Sequence, residues 1–274
     1  MAGENAPAPR QQRWFEFRRP IPAVRVWVLG AACWVIFFGI WEWANASGFA
    51  NDLLLPPPHV VLATIVGLLG GKDFPWDIVA SVVRVLVSFG AACAIAVPLG
   101  LLMGSFRTVE AFFNPFVSAW RYLPAPSFIP ILLMWFGTGE EPKLALLFLG
   151  VVFFLITLIM DHTQQVRGEL IDTAMTLGAN RRQILWTVVV PAVMPNIVVA
   201  MRQMLAVSWT YLVIAEIVAQ TTGIGAMMMR ARRFLHTDEI MAGIVVIGAV
   251  GLGFDYLFRL AQRLLFPYVP REER

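Results

Sequence analysis

Two apolar runs with one polar stretch between them limit what this chain can fold into. Lys143 to Met160 is almost wholly apolar, and so is Ala192 to Val207 apart from Asn196, Arg202 and Gln203. A run of roughly 20 such residues matches the hydrocarbon thickness of a bilayer. Inside lipid the backbone must satisfy its own hydrogen bonds, which makes such a run a transmembrane helix. The stretch between the runs, Asp172 to Pro191 (DTAMTLGANRRQILWTVVVP), is the longest polar interruption of its kind. It contains helix formers, a capping-competent Asp172 and a Gly178-Ala179-Asn180 break. These predict a helix, a tight turn and a second helix on one face of a membrane, a hairpin suited to docking a soluble partner.

The whole chain supports this class. It is 58% hydrophobic and 14% charged, against about 25% charged in soluble domains. At roughly 20 residues per span there is apolar mass for about six helices. Further spans are predicted at Val24–Ala46, Asp77–Met103, Pro191–Val218 and Ile240–Leu265, with a short helix at His59–Leu69. Residues 1–20 read as a retained cytoplasmic tail, 21–266 as the membrane domain with its loop at 162–191, and 267–274 as a second cytoplasmic tail. A third membrane segment starts near Val109 and is broken by Pro115, Pro124, Pro126 and Pro130. Proline removes a helix donor and clashes with the preceding turn. Non-helical backbone at membrane depth survives only beside protein or a water-filled cavity, so the break is a candidate border of a substrate path. Gly223 to Phe234 reads as amphipathic or re-entrant.

Several chemistries are excluded or unsupported. Gly67 to Asp73 contains Gly-Gly-Lys, but the glycine spacing is one short of a nucleotide loop and Asp73 stands where Ser or Thr is needed. Cys33 and Cys93 lie in apolar runs and read as small buried hydrophobes, and the three histidines show no metal-ligand spacing. The net charge of +3 comes with basic residues at span ends, which argues for membrane orientation and not for nucleic-acid binding. Arg10, Arg13, Arg18, Arg19, Arg107, Arg167, Arg181, Arg182, Arg263, Arg271 and Arg274 collect on one side. That side is expected to be cytoplasmic, with both termini and the polar hairpin. Lys72, Lys143 and the Arg230, Arg232, Arg233 cluster fall on the other, and the cluster breaks the rule.

The hairpin also carries a resemblance. Asp172-Thr173-Ala174, three residues, Gly178, nine residues and Val188-Val189-Val190-Pro191 resemble the cytoplasmic "EAA" loop of permeases from binding-protein-dependent ABC importers. Asp stands for Glu, Thr for the first Ala, and Val for Ile and Leu. Leu55-Pro56-Pro57-Pro58, Arg121-Tyr122-Leu123-Pro124, Trp135-Phe136-Gly137-Thr138-Gly139 and Ala215-Glu216-Ile217 are similar to the nitrate, sulfonate, taurine and bicarbonate branch. The resemblance implies an all-α fold of the type I importer kind, with about six spans and a cytoplasmic two-helix coupling loop, in a bacterial inner membrane. It implies a second permease copy, here a homodimer, two cytoplasmic ATPase subunits and an extracytoplasmic binding protein. ATP and magnesium would sit on the ATPases, with no cofactor or covalent chemistry in this chain. Asp172, Thr173, Ala174, Gly178, Ala179 and Pro191 would couple to the ATPase. Arg84, Arg121, Pro124, Arg202, Trp209 and Glu216 are the candidates for the pathway, which is expected to carry a small anion or zwitterion. Two alternatives are weaker. An intramembrane enzyme needs a nucleophile–base pair that Arg84, Arg121, Arg202, Glu216 and Asp255 do not form. An ion-driven secondary transporter predicts internal repeats, and none is visible.

Charge arithmetic gives one further expectation. Arg84, Arg121 and Arg202 lie in or near apolar spans, whereas Glu216 and Asp255 are the carboxylates well inside them. An arginine at the bilayer centre costs about 2.5–3.5 kcal/mol on insertion scales. One of the three is therefore expected to lack an acidic partner, unless Arg84 snorkels at the outer interface. Arg121, in the proline break, is the one expected to face the pathway.

Overall fold

A computed structural model describes residues 21–48, 51, 53–219 and 222–268. The expected N-terminal tail and most of the C-terminal one, with Arg271 and Arg274, lie outside these residues. Two compact units divide the chain at Asp52. The described part of the first is essentially one helix, α1 (Ala23–Ala46). Its apolar side chains are exposed along its length, and Trp34, Phe38 and Trp41 stack in series along it. Cys33, expected to be buried, is exposed there. A helix whose natural surroundings are hydrocarbon can carry apolar residues on every face.

The second unit is helical throughout its described residues. It comprises α2 (Pro58–Gly70), α3 (Asp73–Ser105), α4 (Arg107–Arg121), a 3-10 turn (Ala125–Phe128), α5 (Ile129–Phe136) and α6 (Glu141–Gln164). Next come α7 (Gly168–Thr176), α8 (Arg181–Ile184), a π turn (Leu185–Val189), α9 (Val190–Ala219), α10 (Ile224–Arg233) and α11 (Thr237–Leu265). Among the described residues, five helical stretches are long and apolar enough to cross a membrane: Val24–Ala46, Asp73–Ser105, Glu141–Gln164, Arg181–Val218 and Thr237–Leu265. The expected third segment is discontinuous around Pro124, Pro126 and Pro130, whereas Pro115, expected to break it, lies inside the continuous helix α4. Pro124 sits in extended conformation before the 3-10 turn, and α5 ends at Gly137 with φ +75°. Each helix after a break starts with the proline in its first turn, where a missing N–H costs nothing.

The core lies where α3, α6 and α9 meet, around Val85, Ala92, Ala96, Leu147, Val151, Leu155, Ile159, Ile197 and Leu212. Small residues set the spacing. Gly100 and Gly104, four apart on α3, lie against the backbone of α6. A Cβ at Gly100 would stand 2.8 Å from Ile159 Cβ and 2.9 Å from the Ile156 carbonyl oxygen. At Gly104 it would stand 2.8 Å from the Met160 carbonyl oxygen. Helices in lipid gain no hydrophobic drive from meeting each other, so close backbone approach between small residues does much of the work. Gly100→Val is therefore expected to push α3 off α6 and to destabilise the protein by about 1–3 kcal/mol. Thermal unfolding in detergent measures this, and an unchanged midpoint would refute the close-packing account.

Candidate functional site: a polar elbow, the broken helix and a charge cluster

The polar stretch folds as a helix, a turn and a second helix, with two changes of detail. Helix α7 exposes most of its surface and buries no residue. It ends in a Schellman motif: Ala179 N–H donates to the Ala174 carbonyl at 3.0 Å and Gly178 N–H to the Met175 carbonyl at 2.9 Å. Gly178 has φ +83°, the left-handed conformation that glycine adopts without a Cβ penalty. Two residues on, Asn180 caps α8. Its side-chain oxygen accepts from Gln183 N–H at 3.0 Å, and Gln183 Oε1 accepts from Asn180 N–H at 2.8 Å. Asn180 and Gln183 stand three apart, so this capping box was readable in the sequence but was not read.

Asp172 is not a cap. It sits within α7, exposed, and the acid of the first turn is Glu169, which pairs with Arg167. The local reason is that the chain leaves α6 at Gln164 and re-enters helix at Gly168, four residues before Asp172. Thr173 is also exposed and returns its hydroxyl to the Glu169 carbonyl at 2.7 Å. Ala174 and Ala179 are half-buried, and Met175 and Leu177 present apolar surface outward. A cavity of about 290 Å³ lies beneath the elbow, between Ile171, Met175 and Ile184 on one side and Gly104 and Thr163 on the other.

The second helix of the elbow does not end before the span. From Arg181 it passes through the π turn and Pro191 into α9. Pro191 has no N–H to donate to the i−4 carbonyl, and a widened π turn just before it accommodates the missing bond.

The broken segment holds Arg121 at the last turn of α4. A cation there meets the negative end of the helix dipole. Its guanidinium carbon lies 5.4 Å from the centroid of the exposed Tyr122 ring. No carboxylate among the described residues pairs with it. Arg202 reaches Asp255 at 3.5 Å. Trp209 is buried in the core against the Phe254 ring at 5.9 Å.

Arg84 is neither unpaired nor snorkelling. It is 4% exposed, and its guanidinium contacts Glu140 through Nε and Nη2, Glu216 at 2.6 Å and the Thr222 carbonyl at 2.9 Å. Glu216, fully buried, also accepts from Ser81 Oγ at 2.7 Å and Gly225 N–H at 2.8 Å. Asp77 accepts from Gly223 N–H at 2.7 Å and pairs with Arg230 at 2.6 Å. Lys143, 1% exposed, pairs with Glu140 at 3.0 Å. Three carboxylates thus face three cations across α3, the start of α6, the end of α9 and α10. They also cap the N-terminal N–H groups of α10, which otherwise have no intrahelical acceptor. The Arg84 guanidinium holds the Glu140 carboxyl below the ordinary carboxylate range, against opposition from burial and with help from Lys143. The cluster also explains Arg230, whose place among outer-side cations broke the orientation rule. Counting intramembrane charges found Arg84 and Glu216 but missed Glu140 and Asp77, which stand at the helix ends.

The comparisons with known proteins agree with this architecture. The model of the family "Binding-protein-dependent transport system inner membrane component" matches residues 96–269. The chain is similar to the taurine transport system permease protein TauC of Escherichia coli, 31% identical over 90% of this chain and 92% of that protein. It is also similar to the bicarbonate transport system permease protein CmpB of Synechococcus elongatus, 28% identical over 70% and 69% of the two chains. In fold it resembles a chain of the MetNI methionine ABC transporter in an inward-facing conformation, with a TM-score of 0.56 at 20% identity, covering 72% of this chain and 94% of that one. The chain belongs to the family of binding-protein-dependent transport system inner membrane components and is an ABC importer permease, an integral protein of the inner membrane.

Proposed function

We propose that this permease carries a small anionic or zwitterionic solute, of the sulfonate, taurine, nitrate or bicarbonate kind, and takes its energy from separate ATPase subunits docked on the elbow. The elbow carries the reading: an outward-facing α7, stopped by Gly178 and re-started by Asn180, whose second helix runs on into a membrane span. Asp172, Thr173, Ala174, Gly178 and Ala179 form the docking surface, and Pro191 marks where the elbow enters the span. Two permease copies, two ATPases binding ATP and magnesium, and an extracytoplasmic binding protein make up the assembly, with the path between the two copies. Both termini and the elbow face the cytoplasm.

The solute class has two supports. Relatives of this chain are named for taurine and bicarbonate transport. Arg121, at the proline break beside Pro124, is an arginine that no described carboxylate neutralises. We also assign Arg202 to the path, with Trp209, Arg84 and Glu216, all buried within the protomer, supporting its wall from behind. Arg121→Gln is expected to reduce uptake at least tenfold, with assembly and nucleotide hydrolysis intact. Uptake is measured in vesicles holding the permease, its ATPase and its binding protein. Full uptake by that variant would remove Arg121 from the path. Uptake by the permease without any ATPase would overturn the ATP-driven reading as a whole.

A further inference from the structure

The last turns of α11 carry a stripe that neither the elbow nor the buried cluster uses. Asp255, Arg259, Gln262 and Arg263 are spaced i, i+4, i+7 and i+8, which places them on one face of the helix. Arg202 of α9 meets this face. Arg202, Arg259, Gln262 and Arg263 together line a cavity of about 30 Å³, room for one small group such as a water or an oxyanion corner.

The charges there do not balance. Asp255 accepts from Arg259 Nε at 2.7 Å and faces Arg202 Nε at 3.5 Å. One carboxylate thus serves two guanidiniums. Arg263 has no hydrogen-bond or ion-pair partner among the described residues, so the notch carries a net charge of about +2. Gln262 is 6% exposed and lines the cavity, and its amide makes no hydrogen bond among the described residues. Its amide is thus free to donate to whatever enters the notch. The other side of the helix is apolar: Leu257, Leu260 and Leu264 are exposed, as on a helix face that meets lipid chains.

We propose that Arg202, Arg259, Gln262 and Arg263 form a binding site for an oxyanion group at the C-terminal end of α11. Guanidinium forks match the geometry of phosphate, sulfonate and carboxylate oxygens, and the Gln262 amide adds a neutral donor. Two sources present that chemistry: the phosphate of an acidic phospholipid, and the anionic group of the transported solute. Only the solute source rests on the importer reading. Basic notches between helices at a membrane surface suit the phospholipid source.

The test uses the full-length permease, purified and placed in nanodiscs, and needs no transport. Native mass spectrometry compares retention of phosphatidylglycerol with that of phosphatidylcholine, and calorimetry measures binding of sulfate and of taurine. Wild type is expected to prefer phosphatidylglycerol, or to bind sulfate or taurine, and the outcome identifies the source. In the Arg259→Gln/Arg263→Gln variant that binding should fall roughly thirtyfold, about fivefold for each arginine removed. Arg263→Gln alone breaks no contact among the described residues. If the double variant does not fold, the single variant decides, and it should lose about fivefold. Wild type that shows no lipid preference and binds neither anion would overturn the site. Binding unchanged in Arg263→Gln would do the same.

Discussion

Glu216→Ala is expected to destabilise this permease by about 3–5 kcal/mol, the range for removing one partner of a buried ion pair. The residue is fully buried and takes three hydrogen bonds, from Ser81 Oγ, Arg84 and Gly225 N–H. Alanine would leave the Ser81 hydroxyl and the Gly225 amide without this acceptor and Arg84 with Glu140 as its only carboxylate, beside Thr222. The N-terminus of α10 would lose its tie to α9. Glu216→Gln should do less damage, because a neutral amide oxygen still accepts from Ser81 or Gly225 while the charge facing Arg84 disappears. Thermal unfolding of the purified chain, together with its yield in membranes, should rank wild type above Glu216→Gln and Glu216→Ala last. A Glu216→Ala protein with a wild-type midpoint would show that the cluster does not brace the bundle.

Gly178→Val should uncouple the transporter while leaving the permease in the membrane. A β-branched residue is strained at φ +83°, so the Schellman turn must open or distort. The turn lies in an exposed elbow, and a Cβ there would meet open space. The fold should therefore survive, at a cost of about 1–3 kcal/mol confined to the turn. The docking surface would not be spared, because α7 and α8 would meet at a different angle. Uptake is expected to fall by at least an order of magnitude, and solute should no longer stimulate the hydrolysis of ATP by the partner subunits. Normal uptake with normal stimulation would remove the elbow from the coupling path. Gly178→Asn is the informative companion, since asparagine tolerates the left-handed region and should retain much of the coupling.

The long spans were legible because their signal is length and apolarity, which lipid imposes residue by residue. The elbow was legible through Gly178 and Pro191, whose backbone demands depend on residue type. Asp172 was misread because capping depends on where the chain re-enters helix, and the exit of α6 at Gln164 cannot be seen in the local pattern. The partners of Arg84 were half legible. A count of charges inside spans finds Glu216, but Glu140 and Asp77 become partners only when α3, α6 and α10 are brought together. The Gly100–Gly104 contact was present as a small-residue spacing on a predicted span. It takes on meaning only when Ile156 and Met160 of α6 are found opposite.

The helix from Arg181 to Val218 runs for 38 residues, about 57 Å at the usual rise. One end is the elbow proposed to dock the ATPase, beside the cavity lined by Ile171 and Ile184. The other carries Glu216, bonded to the loop that starts α10. The proposed docking surface and the Glu216 fastening are thus two ends of one rod. A tilt of about 5° around the middle of a rod that long moves each end by about 2.5 Å in opposite directions. That is about the length of a hydrogen bond, enough to separate Glu216 from Arg84. On the proposed reading, a push on the elbow would then reach the far end of the rod by simple leverage, without a relay of side chains between.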